Sequence, residues 1–290
     1  MRTDTSPPDP VEVARCLGLV RLYPGSTGEV AALRGVDASF SSHSVTALTG
    51  PSGSGKSTLL ALLAMRDRPD GGTVTVLGHD VASLSGRDRR RLARTGVTWA
   101  PQRPTDGLFP HLSAAQNLEQ AARWRGAPRA EVGTLLRRLG LEEVADVRAS
   151  RLSGGEQQRV AVGCACIGSP PLVLCDEPTA ELDEDTAALA LAALRDAARS
   201  GSAVVVATHD PDAVAASDRV VGLRHGVLGT EQAVGATVHA AIDRAGRLQL
   251  PPAALTLFPD QRAVVRVEGD RVVLEPPDRT GPADTGGERS

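Results

Sequence analysis

Apolar residues gather into short blocks separated by polar and glycine-rich punctuation, and the blocks sort into two kinds of element. VTAL, ending at Leu48, LVLC from Leu172 to Cys175 and VVVA from Val204 to Ala207 have the length and composition of strands. LLALLAM, Leu59 to Met65, is an apolar helix former. In HLSAAQNLEQAARWRG, Ser113 and Gln116 have the spacing of a capping box ahead of a helix, and RAEVGTLLRRLGLEEVADV supplies more helical pattern. The run RDRRRLAR, Arg87 to Arg94, predicts a solvated helix face rather than a nucleic-acid contact. From His239 to Pro277 the pattern becomes a short apolar and polar alternation with GR and EGD at candidate turns, which predicts a small β-rich segment.

The longest apolar stretch, Val160 to Cys175, is broken by Gly163, Gly168, Pro170 and Pro171 and falls short of the ~18 unbroken residues of a membrane helix. A net charge of −3 gives no global attraction to nucleic acid or an anionic membrane, so any such contact must be local. Cys16, Cys164, Cys166 and Cys175 show no metal-ligand spacing and read as buried reduced thiols. MRTDTSPPDP lacks an apolar signal core, so residues 1–10 are expected to be a disordered leader on a cytoplasmic protein.

One lysine stands among 32 Lys and Arg residues, and it lies in GPSGSGKST, Gly50 to Thr58. Gly50, Gly55, Lys56 and Ser57 match the phosphate-binding loop G-x-x-x-x-G-K-[ST], after a predicted strand and before a predicted helix. That arrangement aims backbone N–H groups and a positive helix end at a phosphate chain. A compact ammonium on a flexible stem tracks the β- and γ-phosphates better than a planar guanidinium, which accounts for the solitary Lys56. Downstream, Asp176 and Glu177 end the strand LVLC: the first is placed to hold Mg²⁺, the second to deprotonate an attacking water. RLSGGEQQRV, from Arg151, opens another helix on Ser153, Gly154 and Gly155, a second anion-binding end that one triphosphate site does not need. A head-to-tail dimer, each copy closing the other's loop, gives it a role.

With GPSGSGKS, LSGGE and LVLCDE in this order, the chain resembles the nucleotide-binding subunits of ABC transporters, closest to the lipoprotein-release and macrolide-export branch. The resemblance covers about Val11 to Thr230. It implies a P-loop NTPase of α/β class, an ABC-type nucleotide-binding domain at 11–232 with a helical subdomain at about 103–160. It further implies an ATPase using ATP and Mg²⁺. ATP contacts would come from Gly50, Pro51, Ser52, Gly53, Ser54, Gly55, Lys56, Ser57 and Thr58, and from Ser153, Gly154, Gly155 and Glu156 of the signature. Gln102 matches the Q-loop glutamine that senses Mg²⁺, His209 the switch histidine, Asp183 the D-loop aspartate that crosses the dimer interface, and Tyr23 the aromatic that stacks on adenine. Ser57, Gln102 and Asp176 would hold Mg²⁺, and Glu177, His209, Gln102 and Lys56 would carry catalysis. The implied partners are a separate polytopic membrane permease and a second cassette, identical or related.

One departure is visible. Where the family continues its signature helix as I-A-R-A-L, this chain has Val162, Gly163, Cys164, Ala165 and Cys166, and the mid-helix glycine is expected to cost about 1 kcal/mol. The segment 233–277 forms the β appendage, and 278–290 reads as a disordered tail. Within the appendage, IDRAGRLQLP resembles the AbrB-type swapped hairpin, yet five arginines meet five acids between His239 and Pro277, without the basic excess a DNA surface needs. A soluble ABC-type ATPase whose β tail serves regulation or DNA contact is the alternative reading; a small-molecule kinase would leave LSGGE without a role.

Overall fold

The computed structural model describes residues 10–25, 28–233, 239–240, 256–258, 262–269 and 271–276. The expected leader, except Pro10, the stretch IDRAGRLQLP and the tail from 278 lie outside them. Two compact units are present, Met1–Leu248 and Gln249–Ser290.

In the first unit, a long antiparallel hairpin of β1 (Glu12–Gly25) and β2 (Gly28–Ser41) precedes β3 (Ser44–Thr49) and α1 (Lys56–Leu63). Then come β4 (Gly71–Val76), β5 (His79–Asp80), α2 (Gly86–Thr95) and β6 (Val97–Ala100). The helical region follows as α3 (Ala114–Arg125), α4 (Arg129–Arg138) and α5 (Gly154–Cys166). The chain returns through β7 (Leu172–Asp176), α6 (Glu184–Arg199), β8 (Ala203–Ala207), α7 (Pro211–Ala215), β9 (Arg219–Arg224), β10 (Val227–Ala233) and β11 (His239–Ala240).

Strands β6, β7, β8, β3 and β9 lie side by side and parallel, with β10 and β11 added antiparallel at one edge. β7 and β8 are buried at every residue, as parallel strands covered on both faces must be. A second sheet, in the order β2, β1, β4, β5, is antiparallel throughout. Between the two sheets lies α1, whose Leu59, Leu60, Leu62 and Leu63 have no exposed surface and pack with Phe40, Val76 and Val205. Burying each leucine contributes roughly 2 kcal/mol, so the helix that carries Lys56 is among the most firmly anchored parts of the fold.

The opposite core joins α3, α4, α5 and α6 to the parallel sheet. Its helix ends are closed by side chains. Ser113 and Gln116 cap α3 reciprocally, as their spacing predicts, and Ser153 and Glu156 do the same for α5. α2 buries no residue, in line with the solvated face expected of the arginine run. Three cysteines are buried and Cys164 is half-buried, all four as free thiols; burial raises Cys16, Cys164 and Cys166 to about 12 and Cys175 well above its ordinary value. Among the described residues no helix is long and apolar enough to cross a membrane. In the second unit, β12 (Val264–Glu268) and β13 (Arg271–Glu275) form an antiparallel hairpin.

Candidate active site

The carboxyl ends of four adjacent parallel strands deliver the site: β3 leads into the P-loop, β7 ends at Asp176, β8 leads to His209, and β6 leads to Gln102. Ligands collect at such strand ends because the turns there are free to vary while the sheet fixes where they start. A cavity of about 650 Å³ is lined by residues 50–58 together with Tyr23, Ala32, Gln102, Asp176, Glu177 and His209. Every residue predicted from the P-loop, Q-loop, switch and strand-end motifs, and Tyr23 with them, therefore meets in one place.

The glycines do more than clear a path for phosphate. At Gly50, with φ 145°, a Cβ would stand 2.0 Å from the carbonyl oxygen of Leu223, and at Gly55, with φ 104°, one would stand 2.5 Å from that of Ala32. Both positions let the loop settle between β2 and β9. α1 begins without a side-chain cap and without an acid in its first turn, so its positive end faces the cavity uncompensated. Lys56 Nζ donates to the Gly50 and Pro51 carbonyls at 2.7 and 3.3 Å, which holds its charge over the loop. The donor set fits a phosphate chain.

Opposite the loop, burial pushes the Asp176 carboxyl above its ordinary range and the Glu177 charge adds to this, while the Ser57 hydroxyl and Lys56 oppose it. A buried carboxylate kept costly in this way, with a hydroxyl beside it, suits a divalent cation. Glu177 has φ 50°, a left-handed conformation costing about 1–3 kcal/mol in a non-glycine residue, and its amide is tied to the Ala207 carbonyl at 2.8 Å. The strain aims the side chain. Glu177 Oε1 lies 3.0 Å from His209 Nδ1, whereas Oε2 is buried and has no partner. A carboxylate can only accept, so with Glu177 ionised the proton sits on Nδ1, and Oε2 remains the free acceptor for a water.

Tyr23 is held by contacts the sequence did not reveal. Its hydroxyl donates to Asp67 Oδ2 at 2.7 Å, and the Arg21 guanidinium lies 4.5 Å from its ring centroid. Arg21 also pairs with Asp67 and Asp70, each at 2.8 Å. Burial works to raise Asp67, but the Tyr23 hydroxyl, the Arg68 amide and Arg21 outweigh it and hold the carboxyl below its ordinary range. Asp210, also not singled out from the sequence, accepts from Thr179 at 2.7 Å and so couples the segment after Glu177 to the one after His209. The T-H-D triplet was the available signal.

Ser153, Gly154, Gly155, Glu156 and Asp183 are not among the residues lining the cavity. Instead Glu156 turns back on the Ser153 amide at 2.8 Å, and Asp183 caps α6 by accepting from the Thr186 amide at 2.9 Å. The Asp183 carboxyl is lowered by those Thr186 bonds.

Fold and site define a P-loop nucleotide hydrolase with an inserted helical region. The family model described as ABC transporter matches residues 33–180. The lipoprotein-releasing system ATP-binding protein LolD 2 of Caulobacter vibrioides is 40% identical over 225 residues, covering 76% of this chain and 97% of that protein. The macrolide export ATP-binding/permease protein MacB of Rhodopseudomonas palustris is 38% identical over 215 residues, 73% of this chain but 33% of that protein. The chain spans about a third of the length of such fused relatives. The dimeric post-hydrolysis structure of the ATP-binding cassette MJ0796, bound to ADP and Pi, superimposes with TM-score 0.71 at 27% identity, over 77% of this chain and all of that one. The chain belongs to the ABC transporter family, of which it is an ATP-binding, ATP-hydrolysing cassette.

Proposed function

We propose that this cassette drives a separate membrane permease, by closing head-to-tail with a second cassette around two ATP molecules. The observation that carries this reading is the separation of the two anion-binding ends: the α5 N-terminus with Ser153, Gly154 and Gly155 takes no part in the P-loop cavity. Two-fold pairing gives each loop the other copy's signature and makes two equal composite sites. Within each, Lys56 and the signature amides balance phosphate charge, Glu177 takes the proton of the attacking water through Oε2, and His209 holds Oε1. Asp183 reaches across the pair, and Tyr23 supports the adenine. Ser57, Asp176 and Gln102 are the residues that would hold Mg²⁺, which supplies charge neutralisation on the phosphates.

The permease reading draws support from relatives named for lipoprotein release and for macrolide and pyoverdine export. It makes this chain a peripheral protein on the cytoplasmic face of the membrane, serving export or mechanical transmission, with the β segment 233–277 as an appendage. The test uses the Glu177→Gln protein with ATP and Mg²⁺ as bait in detergent-solubilised membranes and in cytosol. Recovery of a polytopic membrane protein is expected. Recovery only of itself, or of DNA lost on deleting 239–277, would favour a soluble regulatory ATPase.

A further inference from the structure

Behind the ring of Tyr23 lies a charged cluster that hydrolysis does not use. Among the described residues, Tyr23 lines the nucleotide cavity, whereas Arg21, Asp67 and Asp70 do not. The Arg21 guanidinium, 4.5 Å from the ring centroid, covers one face of the tyrosine and leaves the other to a ligand. Its edge is fixed as well: Nε donates to Asp67 Oδ2 and Nη1 to Asp70 Oδ2, each at 2.8 Å. Arg21 and Asp67 are 20% and 23% exposed, so water and salt screen their attraction less than that of a surface pair. Asp67 Oδ2 also accepts from the Tyr23 hydroxyl and Asp70 Oδ2 from the Leu22 amide, both at 2.7 Å. One acceptor atom thus joins ring to guanidinium, and a second joins guanidinium to the β1 backbone. Both carboxylates lie in the short connection between α1 and β4, and α1 carries Lys56 at its other end. A path of bonded groups therefore runs from the phosphate loop to the aromatic ring. Arginine suits this place, because a planar fork can serve two carboxylates at its edge while its face rests on the ring.

We propose that Arg21 is a positioning residue for the nucleotide base, which holds Tyr23 in one orientation and at a fixed distance from the phosphate loop while touching neither base nor phosphate. The proposal rests on the reading that Tyr23 supports the adenine, and it adds what makes that ring a fixed platform. Tyr23 stands two residues from the end of β1. Were it free to turn there, ordering it would consume part of the stacking energy each time a nucleotide bound; holding it in place beforehand removes that cost.

Steady-state ATP hydrolysis by the full chain, with ADP and inorganic tripolyphosphate as competitors, separates base binding from phosphate binding. Tyr23→Ala should raise KM for ATP and weaken ADP about tenfold or more, the range for loss of a stacking aromatic, and leave inhibition by tripolyphosphate unmoved. Arg21→Met should raise KM for ATP and weaken ADP about threefold or more, with kcat and the tripolyphosphate constant preserved. Arg21→Lys should fall between, because an ammonium cannot hold both carboxylates and the ring at once. In the Tyr23→Ala background Arg21→Met should have no further effect. An Arg21 that only ties β1 to the rest of the fold predicts a lower kcat, equal weakening of ADP and tripolyphosphate, or the same loss with and without Tyr23. Any of these, or an unchanged KM, would overturn the proposal. Should Arg21→Met not fold, Asp70→Asn removes one anchor of the guanidinium without touching the Tyr23 hydroxyl. It should weaken ATP and ADP about twofold and spare tripolyphosphate; no weakening, or equal weakening of all three, would overturn the proposal in its turn. The two levels fail separately: unaltered ATP and ADP constants in Tyr23→Ala remove the platform reading, whereas a loss there with none in Arg21→Met removes only this inference.

Discussion

Gly163 in the middle of α5 should resist replacement by alanine, although alanine is the better helix former. Propensity alone favours the substitution by about 1 kcal/mol. Packing opposes it: a Cβ at Gly163 would stand 2.8 Å from Leu139 Cδ1, 2.9 Å from Leu118 Cδ2 and 3.5 Å from Leu135 Cδ2. Leu118 and Leu139 have no exposed surface, so neither methyl can swing into solvent. Overpacking of this size costs about 1–3 kcal/mol, which leaves Gly163→Ala destabilised by about 1 kcal/mol, or a Tm lower by roughly 2–4 °C. Urea unfolding of Gly163→Ala, Leu139→Val and the double variant measures it, because valine removes the crowded Cδ1. The double variant should be more stable than the sum of the single effects predicts, by about 1 kcal/mol. If Gly163→Ala is stabilised by about 1 kcal/mol and the two changes are additive, the close approach of α5 to α3 and α4 is not what requires glycine.

Arg125 straps α3 to the end of α5, with Nη1 donating to the Cys164 and Ile167 carbonyls at 2.7 and 2.9 Å. Arg125→Met should cost about 2 kcal/mol in urea unfolding, the usual loss for charge-assisted bonds, and Arg125→Lys should recover about half. Asp176→Asn should stabilise the metal-free fold while abolishing hydrolysis. The folded Asp176 pKa is raised, so the native state binds more protons between the unfolded and folded values, and stability falls as pH rises through that window. A thermal-shift series run upward in pH from the ordinary carboxylate range, in the absence of metal, should therefore show this decline in the unaltered protein and a reduced one in Asp176→Asn.

The phosphate loop was legible because its chemistry is local: Gly50 to Thr58 carry strand, turn and helix start in one window. Asp176, Glu177, Gln102 and His209 were legible for a related reason, each lying at or within two residues of the end of a short apolar strand, and the parallel sheet then had only to align those ends. What could not be read was contact between distant segments. Gly163 looked like a defect until α3 and α4 came within a methyl radius of it. Gly50 and Gly55 showed in the sequence only as positions of the phosphate-loop motif, whereas carbonyls of β9 and β2 occupy the space a side chain would need there. Tyr23 could be suspected as an adenine platform, but its anchoring by Asp67, 44 residues away, depends on how β1 pairs with β4. The Arg87 to Arg94 run read as solvent-facing, which it is.

Light scattering on Glu177→Gln with ATP and Mg²⁺ tests the ATP-closed pair most directly. The variant should be monomeric without nucleotide, reach about twice 30.1 kDa with it, and hydrolyse ATP roughly a hundred- to ten-thousandfold more slowly than the unaltered chain, as loss of a general base requires. Adding Ser153→Arg, which blocks the opposing signature, should return it to the monomer. A variant that stays monomeric at saturating ATP, or that turns over at the unaltered rate, would contradict the account.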